Sequence, residues 1–468
     1  MRRGSRERGS LAIPGTGRHT PQSPPSGPTL ARQHRVNRPS ALFDKIATDP
    51  AAVGPHSAML DRSAAAHQAG DDIEARQALG AYLVLRVIDR VIGLQDDDAP
   101  EAREGLQFQL ASVTRFIEEL PKDEEVEASH LAGLVRVLGA FERDGERRLR
   151  IGLLAYSWHL EQAGCLEEAL DVLGLSEPFY RKAGPDELTN LGMTAGRFHR
   201  TLAHWDLADS GYQLGYESAE VRHDRRGMLL ARLGRAKVLL GRGNLPEARR
   251  QIEGVIAEAE GKDLAEARAW GYADLAVVLE KLGLPESCLA AEYQAFNHFR
   301  DSQERCRALN NLGASLRNLR QFEVARIAFE SVLRTSESWY LRTNAFVELL
   351  GIHGALGNEL AFHRYWNEAR EEESKMPPML RVDYGYRVGL GLLRFGKGSA
   401  GRRWLEEARS IARERGLNEW YFRLDQLLSS ASPETELRRE IATPAAESSD
   451  ELARIEGGLR QYAAALSQ

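Results

Sequence analysis

The stretch ALNNLGASLRNLRQFEVARIAFESVL, from Ala308 to Leu333, decides the fold of this chain. Two small residues in it, Gly313 and Ala325, stand twelve positions apart, and apolar residues recur around each at intervals of three and four. This spacing predicts two amphipathic helices joined by a short turn near Arg320. Small residues at the crossing point let two antiparallel helices approach closely.

The same pair of positions recurs along the chain about every 39 residues. A period of this size is typical of a helical solenoid, whose repeats cannot bury their apolar faces alone. We therefore predict an all-α solenoid of about seven helix pairs. The paired positions are Ser157/Ala169, Gly196/Ala208, Ala236/Ala248, Ala276/Cys288, Gly313/Ala325, Leu350/Phe362 and Gly389/Gly401.

The turns inside these pairs are predicted 37 to 40 residues apart, at Gly164, Ala203, Gly243, Gly283, Arg320, Gly357 and Gly396. One pair, Leu350/Phe362, consists of two large residues instead of small ones. We expect it to hold its helices further apart and to open the superhelix locally, between the 310–317 face and the last repeat.

The repeat resembles the tetratricopeptide repeat, which carries Leu-Gly and a large residue on its first helix. An aromatic residue at the turn and then Ala and a large residue on the second helix complete that pattern. The resemblance implies a right-handed α-α superhelix whose first helices line the concave surface. The matching positions are Leu312, Gly313, Leu316, Phe322, Ala325 and Phe329.

The remaining sequence divides into segments with different patterns. Residues 1–40 hold eight arginines and one acid among many Pro and Gly residues, which predicts a disordered basic leader. Residues 41–146 have helical periodicity without the repeat and predict a helical bundle that caps the solenoid at 147–430. Residues 431–448 are typical of a linker, and 449–468 of a C-terminal amphipathic helix.

The period exceeds the 34 residues of the usual tetratricopeptide repeat. The longer repeats resemble those of bacterial regulators, namely Rap-type phosphatases and peptide-pheromone receptors. Rap-type proteins also place a helical bundle before the repeats, whereas the receptors carry a helix-turn-helix that this chain lacks. An alternative function follows, in which the bundle acts on the aspartyl-phosphate of a response regulator and Gln107 and Gln109 orient water.

The resemblance also predicts which first-helix positions face the groove. Seven basic and three acidic residues occupy them, in a chain of net charge −6. Asn can pair with a peptide backbone and Arg with a carboxylate, so we predict a groove for an extended acidic peptide or partner segment. The alternative is that these side chains only form solvated helix faces. The predicted contact residues are Asn190, Arg197, Arg200, Lys237, Arg307, Asn310, Arg317, Asn344 and Arg394.

Several function classes are not expected. No apolar run reaches the roughly 18 residues of a membrane span. The net negative charge gives no general case for nucleic acid, except through the basic leader at 1–40. The spacing of Cys165, Cys288 and Cys306 suits neither a disulfide framework nor a zinc site, which favours a cytoplasmic protein.

An enzyme and a cofactor are not expected either. The stretch from Gly391 to Gly398, GLLRFGKG, comes close to a phosphate-binding loop, but Gly398 stands where Ser or Thr must bind magnesium. No metal-binding spacing and no catalytic constellation occur elsewhere. We therefore predict a protein-binding scaffold or sensor with a protein or peptide partner and no cofactor. The sequence leaves a homodimer open.

Overall fold

The computed structural model describes residues 42, 55–94, 100–120, 126–140, 144–429 and 449–467, all within one compact unit, 39–468. These residues form 20 α-helices and no strand, which confirms the all-α prediction. The predicted basic leader at 1–40 and the linker at 431–448 lie outside the described residues.

Four helices precede the repeats. Their buried apolar side chains, such as Val84 and Leu131, belong to the same core as Tyr156 and Phe198 of the first two repeats. They therefore continue the helical stack, and a separate capping unit stays a prediction. The helices are α1 (Ser57–Ala69), α2 (Asp72–Leu94), α3 (Pro100–Glu118) and α4 (Val126–Gly139).

Seven antiparallel helix pairs follow, as the repeat predicts. The pairs are α5 (Gly145–Gln162) with α6 (Leu166–Ala183), α7 (Pro185–Thr201) with α8 (Trp205–Val221), α9 (Arg225–Gly241) with α10 (Leu245–Glu258), α11 (Ala265–Lys281) with α12 (Pro285–His298), α13 (Ser302–Asn318) with α14 (Phe322–Thr335), α15 (Trp339–Leu356) with α16 (Glu359–Glu371), and α17 (Pro378–Arg394) with α18 (Gly398–Glu414). A further helix, α19 (Asn418–Ser429), packs on α18.

All seven predicted turn residues have a positive φ, between 57° and 83°. In this conformation the chain reverses and the last carbonyls of the first helix are satisfied. After Arg320, for example, the amide of Gln321 donates to the carbonyl of Leu316 across 2.9 Å. Five of the seven turns use Gly, while Ala203 and Arg320 adopt the left-handed region at a cost in strain.

Neighbouring repeats contact each other partly through their first helices. Helix α7 contacts α9, and α9 contacts α11; in the same way α13 contacts α15, and α15 contacts α17. First helices that lie side by side in this way form the inner wall of the solenoid, which is the surface predicted to hold a partner.

The C-terminal helix, α20 (Asp450–Ala465), lies on the second helices of the middle repeats. It contacts α12 and α14, and its Ile455 and Leu459 are fully buried against them. Ser449 caps the N-terminus of this helix, because its hydroxyl accepts a hydrogen bond from the amide of Leu452 at 3.3 Å.

The exceptional pair of large residues does not open the interface between α15 and α17. Leu350 and Phe362 are fully buried. The Phe362 ring lies over Gly391, where an added β-carbon would stand 2.1 Å from it, and a β-carbon on Gly354 would lie 3.4 Å from the Gly391 backbone. The expected opening is therefore wrong, because glycines on the first helices make room for the ring.

Candidate binding site

A cavity of about 330 Å³ lies on the inner wall of the last three repeats. Residues of α13, α15, α17 and α19 line it, together with the turn after α13 and the first residue of α14. None of its lining residues is acidic and five are arginines, so we call it the arginine cavity. The arginines are Arg317, Arg320, Arg387, Arg394 and Arg423.

Two carboxylates behind the cavity wall hold two of these arginines in place. Arg387 donates from Nη2 to Oε1 of Glu348 at 3.0 Å and from Nε to Oδ2 of Asp383 at 2.9 Å. The Nε atom of Arg317 lies 2.8 Å from Oε2 of Glu348. Glu348 and Arg387 are only 5% and 8% exposed, so this cluster is a buried charge network.

Two further arginines of the cavity, Arg394 and Arg423, have no carboxylate partner among the described residues. Arg423 donates from Nη2 to the Tyr386 hydroxyl at 3.0 Å, and its guanidinium lies 4.6 Å from the centre of that ring. Arg394 forms no hydrogen bond or ion pair with any described residue. The described residues therefore balance the positive charge of the arginine cavity only in part.

Electrostatic effects on the arginines agree with that surplus. Burial lowers the pKa of Arg317 below its usual value, and the charge of Arg387 lowers it further. Burial also lowers the pKa of Arg394, with a contribution from the charge of Arg320. Like charges destabilise each other here, and a bound anion would relieve that cost.

A glycine on α15 makes room for the Arg387 guanidinium. A β-carbon on Gly351 would lie 2.6 Å from Nη1 of Arg387. Nε and Nη2 of Arg387 donate to the two carboxylates, and Nη1 makes no hydrogen bond to a residue in the described part of the chain. The cavity wall thus contains a guanidinium that Glu348 and Asp383 hold in a fixed orientation.

Two predicted groove residues link neighbouring first helices instead of standing free. Nη2 of Arg197 on α7 lies 2.8 Å from Oε2 of Glu161 on α5. Nζ of Lys237 on α9 lies 3.1 Å from Oδ1 of Asp274 on α11. Burial raises the pKa of Asp274 while Lys237 opposes that shift. Both cations stabilise contacts between repeats.

The remaining predicted residues are spread along the inner wall. Nδ2 of Asn344 donates to Oδ1 of Asn310 at 3.0 Å, which joins α15 to α13. The structure brings only Arg317 and Arg394 of the predicted set into the arginine cavity. Of the others, Arg200 donates to the Tyr212 hydroxyl at 3.3 Å, Arg307 pairs with Glu304 on its own helix at 3.2 Å, and Asn190 is exposed.

Sequence reasoning missed the buried ionisable residues of the wall. Asp274, Glu348 and Arg387 all stand two positions before the first member of the twelve-residue pair in their repeats. The inward positions deduced from the repeat do not include this one, which faces the neighbouring first helix. These charged residues stand among apolar residues of their helices, and this pattern could have indicated buried ion pairs, since charges are rarely buried without a partner.

A second cavity, of about 630 Å³, lies between α2 and α3. Its lining includes the apolar Val87, Val113 and Phe116, and also Gln109. Gln107, the other glutamine considered for catalysis, is exposed and does not line it. Phe108 at its edge is 75% exposed.

The described residues offer neither a metal site nor a membrane-spanning helix. No group of three or more His, Cys, Asp or Glu side chains there is arranged to hold a metal ion. None of the helices in those ranges is long and apolar enough to cross a membrane.

No family model matches this chain, and no curated protein matches it. Solved structures do resemble it. The apo form of the quorum sensor NprR from B. thuringiensis aligns over 76% of this chain and 97% of its own, with 10% identity and a TM-score of 0.46. The apo form of RapI aligns over 57% and 99%, with 9% identity and a TM-score of 0.40.

A Rap protein complexed with competence and sporulation factor aligns over 80% of this chain and 99% of its own, with 10% identity and a TM-score of 0.40. The similarity to Rap-type regulators that the repeats and the preceding bundle predict is thus found among solved structures. All three TM-scores lie below 0.5. The helix pairs described above therefore define the fold, and any function has to be inferred from the residues of this chain.

Proposed function

We propose that this chain is a binding protein that holds an extended acidic segment of a peptide or partner protein on its inner wall. The observation that carries the proposal is the arginine cavity, in which five arginines and no acidic residue line one space. Guanidinium groups favour carboxylates because they can donate two parallel hydrogen bonds to the two oxygens.

The wall is organised before a partner arrives. Glu348 and Asp383 fix Arg387, and Glu348 also fixes Arg317, so these guanidiniums do not have to be ordered on binding. Preorganised donors lose less conformational entropy, and more of the contact energy then appears as affinity. Arg394 and Arg423 supply charge that no carboxylate of the described residues neutralises.

The rest of the wall extends the proposed surface towards the first repeats. Arg200, Arg307 and Asn190 remain accessible to a partner, and the Asn310–Asn344 pair carries amide groups that can bind a peptide backbone. Arg197 and Lys237 act mainly by holding neighbouring repeats together. In this proposal the chain is a cytoplasmic protein that binds a peptide or partner protein and acts as a regulator without catalysis.

Peptide capture tests the proposal. Two pools of labelled random hexapeptides, one rich in Asp and Glu and one rich in Lys and Arg, are offered to the immobilised full-length chain at low salt. The acidic pool should be enriched at least about tenfold, which corresponds to about 1.4 kcal/mol. The Arg394→Glu variant should lose most of that preference.

Arg250→Glu is the matched control, because Arg250 lies on the second helix α10 and its side chain is 76% exposed. Arg250→Glu should capture the two peptide pools as the unmodified chain does. The unmodified chain and both variants should have the same helical circular-dichroism spectrum. Equal capture of the two pools by the unmodified chain would contradict the proposal. So would an undiminished acidic preference in Arg394→Glu.

A second candidate is the Rap-like activity on the aspartyl-phosphate of a response regulator. The observation in its favour is that Gln109 lines the cavity between α2 and α3, where its amide could orient water. Receiver domains from the source genome, phosphorylated in vitro, would lose phosphate faster with the chain present. Gln109→Ala should abolish the effect and Gln107→Ala should keep it; no acceleration with any receiver would remove this candidate.

A further inference from the structure

The arginine cavity has the charge and size of a site for one end of a peptide. We propose that it holds the C-terminal residue of a free peptide that ends in Asp or Glu, and binds its α-carboxylate and its side-chain carboxylate together. This inference rests on the proposed function and narrows it, because an internal acidic segment of a folded partner offers no terminal carboxylate.

The charge balance favours two carboxylates in one place. Arg317 and Arg387 are already paired with Glu348 and Asp383. Arg394 and Arg423 have no carboxylate partner among the described residues. A C-terminal Asp or Glu carries two negative charges on one residue, which matches these two arginines, whereas an internal acidic residue carries only one.

The size of the cavity also favours a terminal residue. About 330 Å³ is at the lower end of the range for small-molecule sites, which is roughly 300–1,000 Å³. An extended segment that passed through would need an open channel of several residues. Phe322, Leu390 and Ala355 line the same space and offer apolar surface to the methylene groups of the last residue.

Donor geometry supports binding of the carboxylates at the wall. Arg387 is 8% exposed, and its Nη1 fills the space beside Gly351 at the cavity wall, where both residues line the cavity. Because Glu348 and Asp383 hold its other nitrogens, the direction of Nη1 is fixed. Arg394 makes no hydrogen bond or ion pair within the described ranges, so its guanidinium can bind a carboxylate through two nitrogens.

Four hexapeptide pools test the inference on the full-length chain. Five positions are random in each pool, and the sixth residue is Asp with a free carboxylate, Asp amide, Asn with a free carboxylate, or Asn amide. Captured peptides are counted by mass spectrometry. Each removed carboxylate should lower capture about tenfold, so the Asp free-acid pool should exceed the Asn amide pool by about 100-fold.

Arg394→Gln should remove most of the difference in capture between the free-acid and amide pools. Arg394→Lys should retain part of that difference, since Lys keeps the positive charge but cannot donate two parallel hydrogen bonds to one carboxylate. Arg250→Gln, on the exposed side of α10, should leave all four captures unchanged. These three variants separate a specific contact from a general loss of positive charge.

The outcomes that overturn the inference differ from those that overturn the proposed function. Equal capture of free-acid and amide pools, with an acidic pool still preferred to a basic one, would overturn the terminal site and leave the acidic groove standing. A terminal-acid preference that Arg394→Gln does not reduce would also overturn the site. If acidic peptides are not preferred at all, the proposed function fails and this inference fails with it.

Discussion

Arg387 donates a hydrogen bond to Glu348 across 3.0 Å, from α17 to α15, with both side chains almost fully buried. Glu348 also pairs with Arg317 on α13 at 2.8 Å, so one carboxylate joins the first helices of three repeats. The same network orients two arginines towards the cavity. Stability of the last repeats and the shape of the proposed site therefore depend on one buried side chain.

Glu348→Gln should destabilise the chain. The substitution keeps the size of the side chain but leaves two guanidiniums, of Arg317 and Arg387, without its negative charge in a buried place. Removing one partner of a buried ion pair costs about 3–5 kcal/mol. Urea unfolding followed by circular dichroism measures the loss. Glu406→Gln, at an exposed position of α18, should change the free energy of unfolding by less than about 0.5 kcal/mol. Equal stability of the two variants would show that the network contributes nothing.

His56 should make stability depend on pH. Burial alone would lower the pKa of His56, but its hydrogen bonds to Asp171 and Asp89, at 2.8 and 3.0 Å, outweigh burial and raise the pKa to about 9. A raised pKa in the folded state favours folding while the group is protonated. This contribution, about 3 kcal/mol, is complete below pH 6.5 and lost as pH rises through 9.

The measurement compares the unmodified chain with His56→Gln between pH 5.5 and 9.5. The difference in their free energies of unfolding should be largest at the acidic end and should shrink steadily above pH 6.5. A difference that stays constant over this range would mean that His56 carries no charge in the folded protein.

Gly391→Ala should destabilise the last two repeats, because the new methyl group would lie 2.1 Å from the buried Phe362 ring. Overpacking of this kind costs about 1–3 kcal/mol. Gly457→Ala is the matched control on α20, where a β-carbon meets nothing within 4 Å. It should raise stability by about 0.5–1 kcal/mol, since Ala is the better helix former. If both substitutions shift the thermal midpoint in the same direction, the close approach around Phe362 is not present in solution.

Ile455→Ala should weaken the attachment of α20. Ile455 is fully buried against the second helices α12 and α14, and truncation of a buried Ile costs about 2–5 kcal/mol. Gln461→Ala on the exposed side of the same helix should have an effect below about 0.5 kcal/mol. Urea unfolding of the two variants gives the comparison. A negligible loss in Ile455→Ala would show that α20 does not pack on the repeats.

Much of the fold follows from local sequence, since the twelve-residue pairs fix where each helix turns back. All seven predicted turns have left-handed backbone, including Ala203 and Arg320, which are not glycines. The position of α20 could not be predicted in this way. Its amphipathic pattern shows that Ile455 and Leu459 must be covered, but not which surface covers them.

The candidate site was predictable only in part. The positions of Arg317 and Arg394 within their repeats predict that both side chains face inward, and both line the arginine cavity. It does not predict Glu348 or Arg387, which occupy a position that usually faces the next first helix. The distance between α15 and α17 decides whether such residues pair, and that distance depends on Gly391 and its fit against the Phe362 ring on α16.

A crystal structure of the full-length chain with the peptide most enriched from the acidic pools would test directly whether the arginine cavity binds acidic peptides. We expect carboxylate oxygens within hydrogen-bond distance of the Arg394 guanidinium and of Nη1 of Arg387, with the rest of the peptide along the first helices. A peptide bound on the second helices or at the α2–α3 cavity, with the arginine cavity empty, would contradict this expectation.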